Sequence, residues 1–290
     1  MARCPSAQPP REPRARRAAL IALPVVLTLA GCKAAPPGPT PPPAAEQPLR
    51  IPPFARVPYE PFGRADAVAM ALREWRAWGQ MVDDAPPEER PPPAPEDKPE
   101  RMPGMWQRVG EYWWLSQDNG RTEAAWTGKH DDDDVVFDAG RDEDYAWSAA
   151  FVSYVMRMSG AGPRFPYSPS HVTYINIARQ MSLGQAAGWV VWAEPIDTTA
   201  PQPGDLICYG RHNARRMRFA DLPARHFPSH CDIVVSAVPG QLAVIGGNVD
   251  DAVTMKHVPV TAAGTLAAPR GAPLDTRYPW FVVIRVLYDR

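Results

Sequence analysis

The order of patterns along the chain predicts an α+β domain, with helices packed on an antiparallel sheet and a helical extension ahead of it. Two observations carry this. Helical periodicity is confined to the stretch before residue 184, and beyond it come short β-branched or aromatic runs punctuated by Pro, Gly and Asp turns. At 290 residues the chain is long enough to bury a proper core.

The elements follow in order. Residues 63–82 read as a helix, with Val68, Ala71, Leu72, Trp75 and Trp78 at helical spacing. Residues 85–103 are a proline- and charge-rich loop, and residues 104–115 form a second, tryptophan-rich helix whose aromatics are expected in the core. A third helix covers residues 145–159 and stops at Gly160; a fourth covers 172–183 and stops at Gly184. Strands are expected at 189–193, 205–209, 231–237, 241–245, 253–260 and 280–287.

The N-terminus has a different character. Arg11, Arg14, Arg16 and Arg17 precede the apolar run 18–29, which ends in Leu29-Ala30-Gly31-Cys32. A basic flank, a short apolar core and small residues before a cut site make a secretory signal, and the run is too short for a comfortable membrane span. Leu-Ala-Gly-Cys resembles the bacterial lipobox, which implies cleavage before Cys32 and lipidation of its thiol. Many of the 37 prolines fall in the linkers, among them a stiff spacer that runs to residue 58. The expected organisation is a lipoprotein signal peptide at 1–31, a linker at 32–58, a helical segment at 59–117 and an α+β domain at 118–290.

Charge and cysteine count narrow the functions. The formal net charge is −1; the signal carries five arginines and one glutamate, so its removal takes away about +4 and leaves roughly −5. No basic stripe with interleaved aromatics appears, which argues against nucleic acid as a partner. Without Cys4 and Cys32, only Cys208 and Cys231 remain, on neighbouring predicted strands; they fit a disulfide or two buried thiols better than a catalytic thiol. Asp131, Asp132, Asp133 and Asp134 lack the glycine and distal glutamate of a calcium loop and read as a solvated loop. His212, His226, His230 and His257 are too scattered for zinc-site spacing, so no metal and no cofactor is expected.

One constellation has the makings of chemistry. On the third helix Ser148 shares a face with Phe151, Val152, Val155 and Met156, and it sits in the positive field of the helix start. Downstream come Pro203-Gly204-Asp205, then Ser229-His230-Cys231-Asp232, then Gly246-Gly247-Asn248. Adjacent strand residues point to opposite faces, so Cys231 is expected to face away from the His230 imidazole, and Asp232 to share its face. His171, opening the fourth helix, is a secondary candidate to line the pocket, against a purely local hydrogen bond.

This order resembles the CHAP and NlpC-type papain-like cell-wall hydrolases. Trp147 to Val152 is similar to their Trp-Cys-Ala-x-Phe-Val block except that serine replaces the nucleophilic cysteine. The resemblance implies Ser148 as nucleophile, His230 as base and Asn248 as the group orienting it, with Asp232 an alternative source of charge. Trp147, His171 and Tyr145 are then the expected substrate contacts. Residues 64–288 also resemble the bacterial family called domain of unknown function 2272, through Leu72-Arg73-Glu74-Trp75, Gly110-Glu111-Tyr112-Trp113-Trp114, Trp126-Thr127-Gly128-Lys129-His130 and Gly246-Gly247-Asn248-Val249-Asp250. The expectation is a monomeric, lipid-anchored envelope protein facing the periplasm that cleaves an amide bond in peptidoglycan peptide. Its rivals are a non-catalytic module that binds wall peptide, and a scaffold using an exposed patch of Trp75, Trp113, Trp114 or Trp126.

Overall fold

The computed structural model describes residues 62–288 apart from 92, 117–126 and 132. The expected signal peptide, Cys32, the expected linker to residue 58, Asp132 and Trp126 lie outside the described residues. Among the described residues no helix is long and apolar enough to cross a membrane.

Among the described residues four α-helices precede a six-stranded sheet. The helices are α1 (Arg64–Ala77), α2 (Met105–Leu115), α3 (Ser148–Met158) and α4 (His171–Ser182). The strands are β1 (Val191–Glu194), β2 (Leu206–Gly210), β3 (Ser229–Val238), β4 (Gln241–Val249), β5 (Ala252–Pro259) and β6 (Trp280–Val286). Their order in the sheet is β1-β6-β2-β3-β4-β5, and every neighbouring pair is antiparallel. This is the α+β arrangement that the order of patterns predicts.

α1 is shorter than its apolar spacing suggests. Gly79 and Gln80 take positive φ and end it, and Val82 leaves to form a parallel bridge with Met255 on β5. The 85–103 segment carries three short 3-10 turns at Pro87–Glu89, Pro95–Asp97 and Pro99–Arg101, each begun by a proline whose fixed φ suits a first helical position. Glu74 ties the first two helices together: fully buried, it receives two hydrogen bonds from Arg108 at 2.6 and 2.9 Å and one from the Tyr112 hydroxyl at 2.5 Å. α1 and α2 share one hydrophobic core with α3 and the sheet. Trp75 is half-buried and Trp113 buried in that core, while Trp114 is exposed.

The sheet is buried on both faces. The helical side receives Cys208, Cys231, Ile233, Ile245, Val282 and Ile284 against Phe151, Val155 and Ile175. The other side gathers Ile207, Val234, Val244, Val258, Trp280 and Val283 beneath Leu266 and Tyr278 of the β5–β6 connection. Cys208 and Cys231 are register partners on β2 and β3 and are joined by a disulfide. The Pro-Gly-Asp turn is a structural anchor. Gly204 has φ +92°, and an added Cβ there would lie 2.9 Å from the Tyr288 hydroxyl oxygen. Buried Asp205 pairs with Arg285 at 2.9 Å and Arg64 at 3.4 Å.

Candidate functional site

Ser148 is the first residue of α3, so its backbone N–H is among those of the first turn that have no carbonyl within the helix to bond. Its side chain is nearly buried, and its Oγ lies 2.7 Å from Nε2 of His171, the first residue of α4. The other ring nitrogen, Nδ1, meets the hydroxyl of Tyr174 one turn along.

Two serines fix where these helix starts meet. Ser153, fully buried on α3, donates its hydroxyl to the carbonyl of Ser168 at 2.9 Å and accepts from the Ser168 N–H at 3.1 Å. Ser168 Oγ accepts from the N–H of Ser170 at 3.0 Å and bonds Thr173 Oγ1 at 2.9 Å, holding the backbone that delivers His171. The residues between Ser148 and His171 thus form a clamped connection.

His230 lies elsewhere than expected. The second residue of β3, it is the register partner of Tyr209, so it shares the sheet face away from the helices, while Cys231 points to the helical side. His230 makes no hydrogen bond to Ser148; its Nε2 bonds Asp232 Oδ1 at 2.9 Å. Asp232 in turn lies 2.6 Å from Lys256 Nζ, both side chains fully buried. That last contact is one of charge and proximity, without the angle of a hydrogen bond. The ammonium also sits 4.6 Å from the Tyr278 ring centre. The two imidazoles still approach each other, with ring centres 5.3 Å apart.

The Gly-Gly-Asn block explains itself sterically. A Cβ on Gly246 would lie 2.0 Å from Asp232 Oδ1 and 2.8 Å from His230 Nε2. One on Gly247, facing the helices, would lie 2.5 Å from Phe151 Cβ. Asn248 takes φ 53° at a register shift in β4 and lines the cleft, but it forms no hydrogen bond to His230; Asp232 does. Asp250 and Asp251, both at positive φ, make the tight turn into β5.

Of the expected substrate contacts, only His171 lines the cleft. Trp147 is fully buried: it stacks on Trp78 with centres 5.2 Å apart, and its indole donates to Glu100 at 2.5 Å. A sealed indole offers no surface to a ligand, so its place is in the core. Tyr145 packs on Phe137 and accepts from Arg141 at 2.6 Å.

Burial favours the neutral form of both imidazoles. It pushes His171 well below the ordinary imidazole value, with His230 and Arg211 adding to the effect and Asp232 opposing it. Burial also lowers His230, again against Asp232. Burial alone would raise the Asp232 carboxyl, but Lys256 and His230 together hold it well below the usual carboxylate range.

Ser148 and His171 open onto a cleft of about 640 Å³, bordered also by Ser229, Asn248 and Arg211. Among the described residues no group of three or more His, Cys, Asp or Glu side chains could hold a metal ion.

Fold and site together define an α+β domain with a serine–histidine pair at the meeting of two helix starts. The chain belongs to a bacterial family described as an uncharacterized protein conserved in bacteria (DUF2272), whose model matches residues 100–286. Comparison with curated proteins and with solved structures gives no match.

The sequence pattern alone ranks His171 behind His230, and Tyr174, Ser153, Ser168 and Lys256 join the site only in the structure. A signal for the first of these was present: His171 and Tyr174 stand three apart at a helix start, on one helical face.

Proposed function

We propose that this chain is an envelope lipoprotein that hydrolyses an amide bond in cell-wall peptide, on a frame related to the papain-like CHAP and NlpC hydrolases, with Ser148 as nucleophile. The observation that carries the chemistry is the 2.7 Å contact between Ser148 Oγ and His171 Nε2 beside an open cleft. The order of the Trp-Ser-Ala-Ala-Phe, Pro-Gly-Asp, His-Cys-Asp and Gly-Gly-Asn blocks supports the hydrolase relationship, and the Leu-Ala-Gly-Cys32 segment supports the lipid anchor.

His171 takes the part of base. In the tautomer that donates Nδ1–H to the Tyr174 oxygen, Nε2 is free to take the serine proton, and burial favours the neutral ring that can do so. Ser148 Oγ then bonds to the amide carbon, and the developing oxyanion is met by N–H groups of the first turn of α3. His171 returns its proton to the departing amine as the C–N bond breaks. Water, deprotonated by the same imidazole, next cleaves the acyl-serine. Asp232 acts at a distance: its charge favours the imidazolium that forms on His171.

Digestion of purified peptidoglycan by the purified protein tests this reading. New free amines and released peptides are expected from the parent and should be absent with Ser148→Ala. No products, or equal products from the two proteins, would remove it.

One observation favours a second reading. The imidazole that touches Ser148 is backed by a tyrosine hydroxyl where hydrolytic serine–histidine pairs ordinarily have a carboxylate. A non-catalytic module that holds wall peptide in the same cleft predicts saturable binding to sacculi that Ser148→Ala leaves unchanged.

A further inference from the structure

A second cavity of about 330 Å³ opens beside His230 and Tyr209, and it shares Arg90, Arg211, His212, Asn248 and Asp250 with the cleft at Ser148. The two are lobes of one groove. Most cations along it are already neutralised. Arg90 pairs with Asp83 and Asp250, Lys98 pairs with Asp142 and Asp251, and Arg277 with Asp275 and Asp84. Arg211 and Arg215 are the exceptions: both are exposed, and neither has an ion pair or side-chain hydrogen bond among the described residues. Arg211 borders both lobes.

The backbone of Arg211 is held while its guanidinium is left free. β2 ends at Gly210, where an added Cβ would lie 1.9 Å from the Ala214 carbonyl oxygen, so the loop folds directly against the strand. The N–H of Arg211 donates to the Pro228 carbonyl at 2.9 Å, and His212 turns the chain at φ 48°. Arg211 also acts on both imidazoles, since its charge contributes to lowering His171 and His230. A cation this close to the reacting pair has no carboxylate of its own.

We propose that the groove selects acyl substrates bearing a free carboxylate near the scissile bond, and that Arg211 holds this carboxylate through its guanidinium fork while Arg215 adds positive charge at the smaller lobe. This rests on the proposed hydrolysis only for the position of the bond. A monoanion suits the site better than a phosphate dianion, because Asp83 and Asp250 share the single charge of Arg90, and that surplus negative charge repels a dianion more strongly.

The test is calorimetric titration of the Ser148→Ala protein with the peptide Ala-Glu-Lys-Ala as its free acid, with the same peptide bearing carboxamides, and with inorganic phosphate. The free acid is expected to bind about tenfold tighter than the amide, as for one charge-assisted pair. That preference should fall to within about twofold in Ser148→Ala/Arg211→Gln and recover in part with Arg211→Lys, at unchanged melting temperature. Equal affinities, no binding of either peptide, a preference that survives Arg211→Gln, or tighter binding of phosphate would each overturn the proposal. Should Ser148→Ala fold poorly, the parent and its Arg211→Gln variant are compared instead. Acid preference in binding with no cleavage by the parent would remove hydrolysis and leave this inference. Cleavage that ignores the carboxylate would do the reverse.

Discussion

Lys256 reaches Asp232 at 2.6 Å with neither side chain touching solvent, and Asp232 carries the charge on to His230 at 2.9 Å. Removing one member of a buried ion pair leaves the other uncompensated, which costs far more than the pair itself contributes. Lys256→Met is therefore expected to lower stability by about 3–5 kcal/mol, measured by urea denaturation. The pair also sets an acid limit. The Asp232 carboxyl is held below its unfolded value, so its contribution is full above pH about 4 and is lost as pH falls through the folded pKa. In Lys256→Met that acid dependence should weaken. A variant as stable as the parent would show that the charge on Asp232 is neutralised by other means.

Glu100 behaves in the opposite sense. Burial raises its carboxyl to about 8, with Asp251 and Asp142 adding to the shift and the Trp147 indole and Lys98 opposing it. Between the ordinary carboxyl value of 4.5 and about 8 the folded protein keeps a proton that the unfolded chain gives up. Stability must then decline as pH rises across that window, by an amount on the order of a few kcal/mol. Glu100→Gln preserves an acceptor for the Trp147 indole and removes the ionisation. Its unfolding free energy should be flatter with pH than the parent's, and a parallel pair of curves would contradict the assignment.

Gly246 is where shape governs the histidine–aspartate pair. A methyl group there would overlap Asp232 Oδ1 and crowd His230 Nε2, so one of the two must move. Overpacking of this kind costs about 1–3 kcal/mol. Gly246→Ala should lower the melting temperature and shift the His230 ring resonances in an NMR spectrum. Unchanged resonances would mean that the strand yields instead of the side chains.

The elements were legible because their local rules agree: the apolar spacing of 148–159, the glycines after α3 and α4, and the turn residues between strands all point one way. The site was legible only in part. Strand alternation correctly set His230 and Cys231 on opposite faces, but it carries no information about which face the helices cover. β3 is buried on both sides from His230 to Val235, so the alternation of apolar and polar residues that marks a half-exposed strand is missing there. The helices lie on the Cys231 side, which removes His230 from Ser148. His171 fills that place through contacts between residues distant in sequence, the Ser153–Ser168 clamp above all, and helix periodicity does not report these.

The Ser153–Ser168 clamp also fixes what stands beside position 148. If the α3 and α4 starts are held as described, a thiol placed at position 148 sits against the His171 imidazole, in the field of a helix N-terminus. Both favour the thiolate, while burial opposes it. Cys208 and Cys231 are consumed in their disulfide and do not react. Ser148→Cys should therefore gain an iodoacetamide-reactive thiol over the parent protein. Its alkylation at neutral pH should slow by about tenfold or more when His171→Ala is added, the size expected for loss of an assisting base. His230→Ala should slow it much less, because that ring touches Asp232 and not position 148. Equal slowing by the two histidine substitutions would place both rings at the nucleophile, and no slowing by His171→Ala would leave the 2.7 Å contact without chemical consequence.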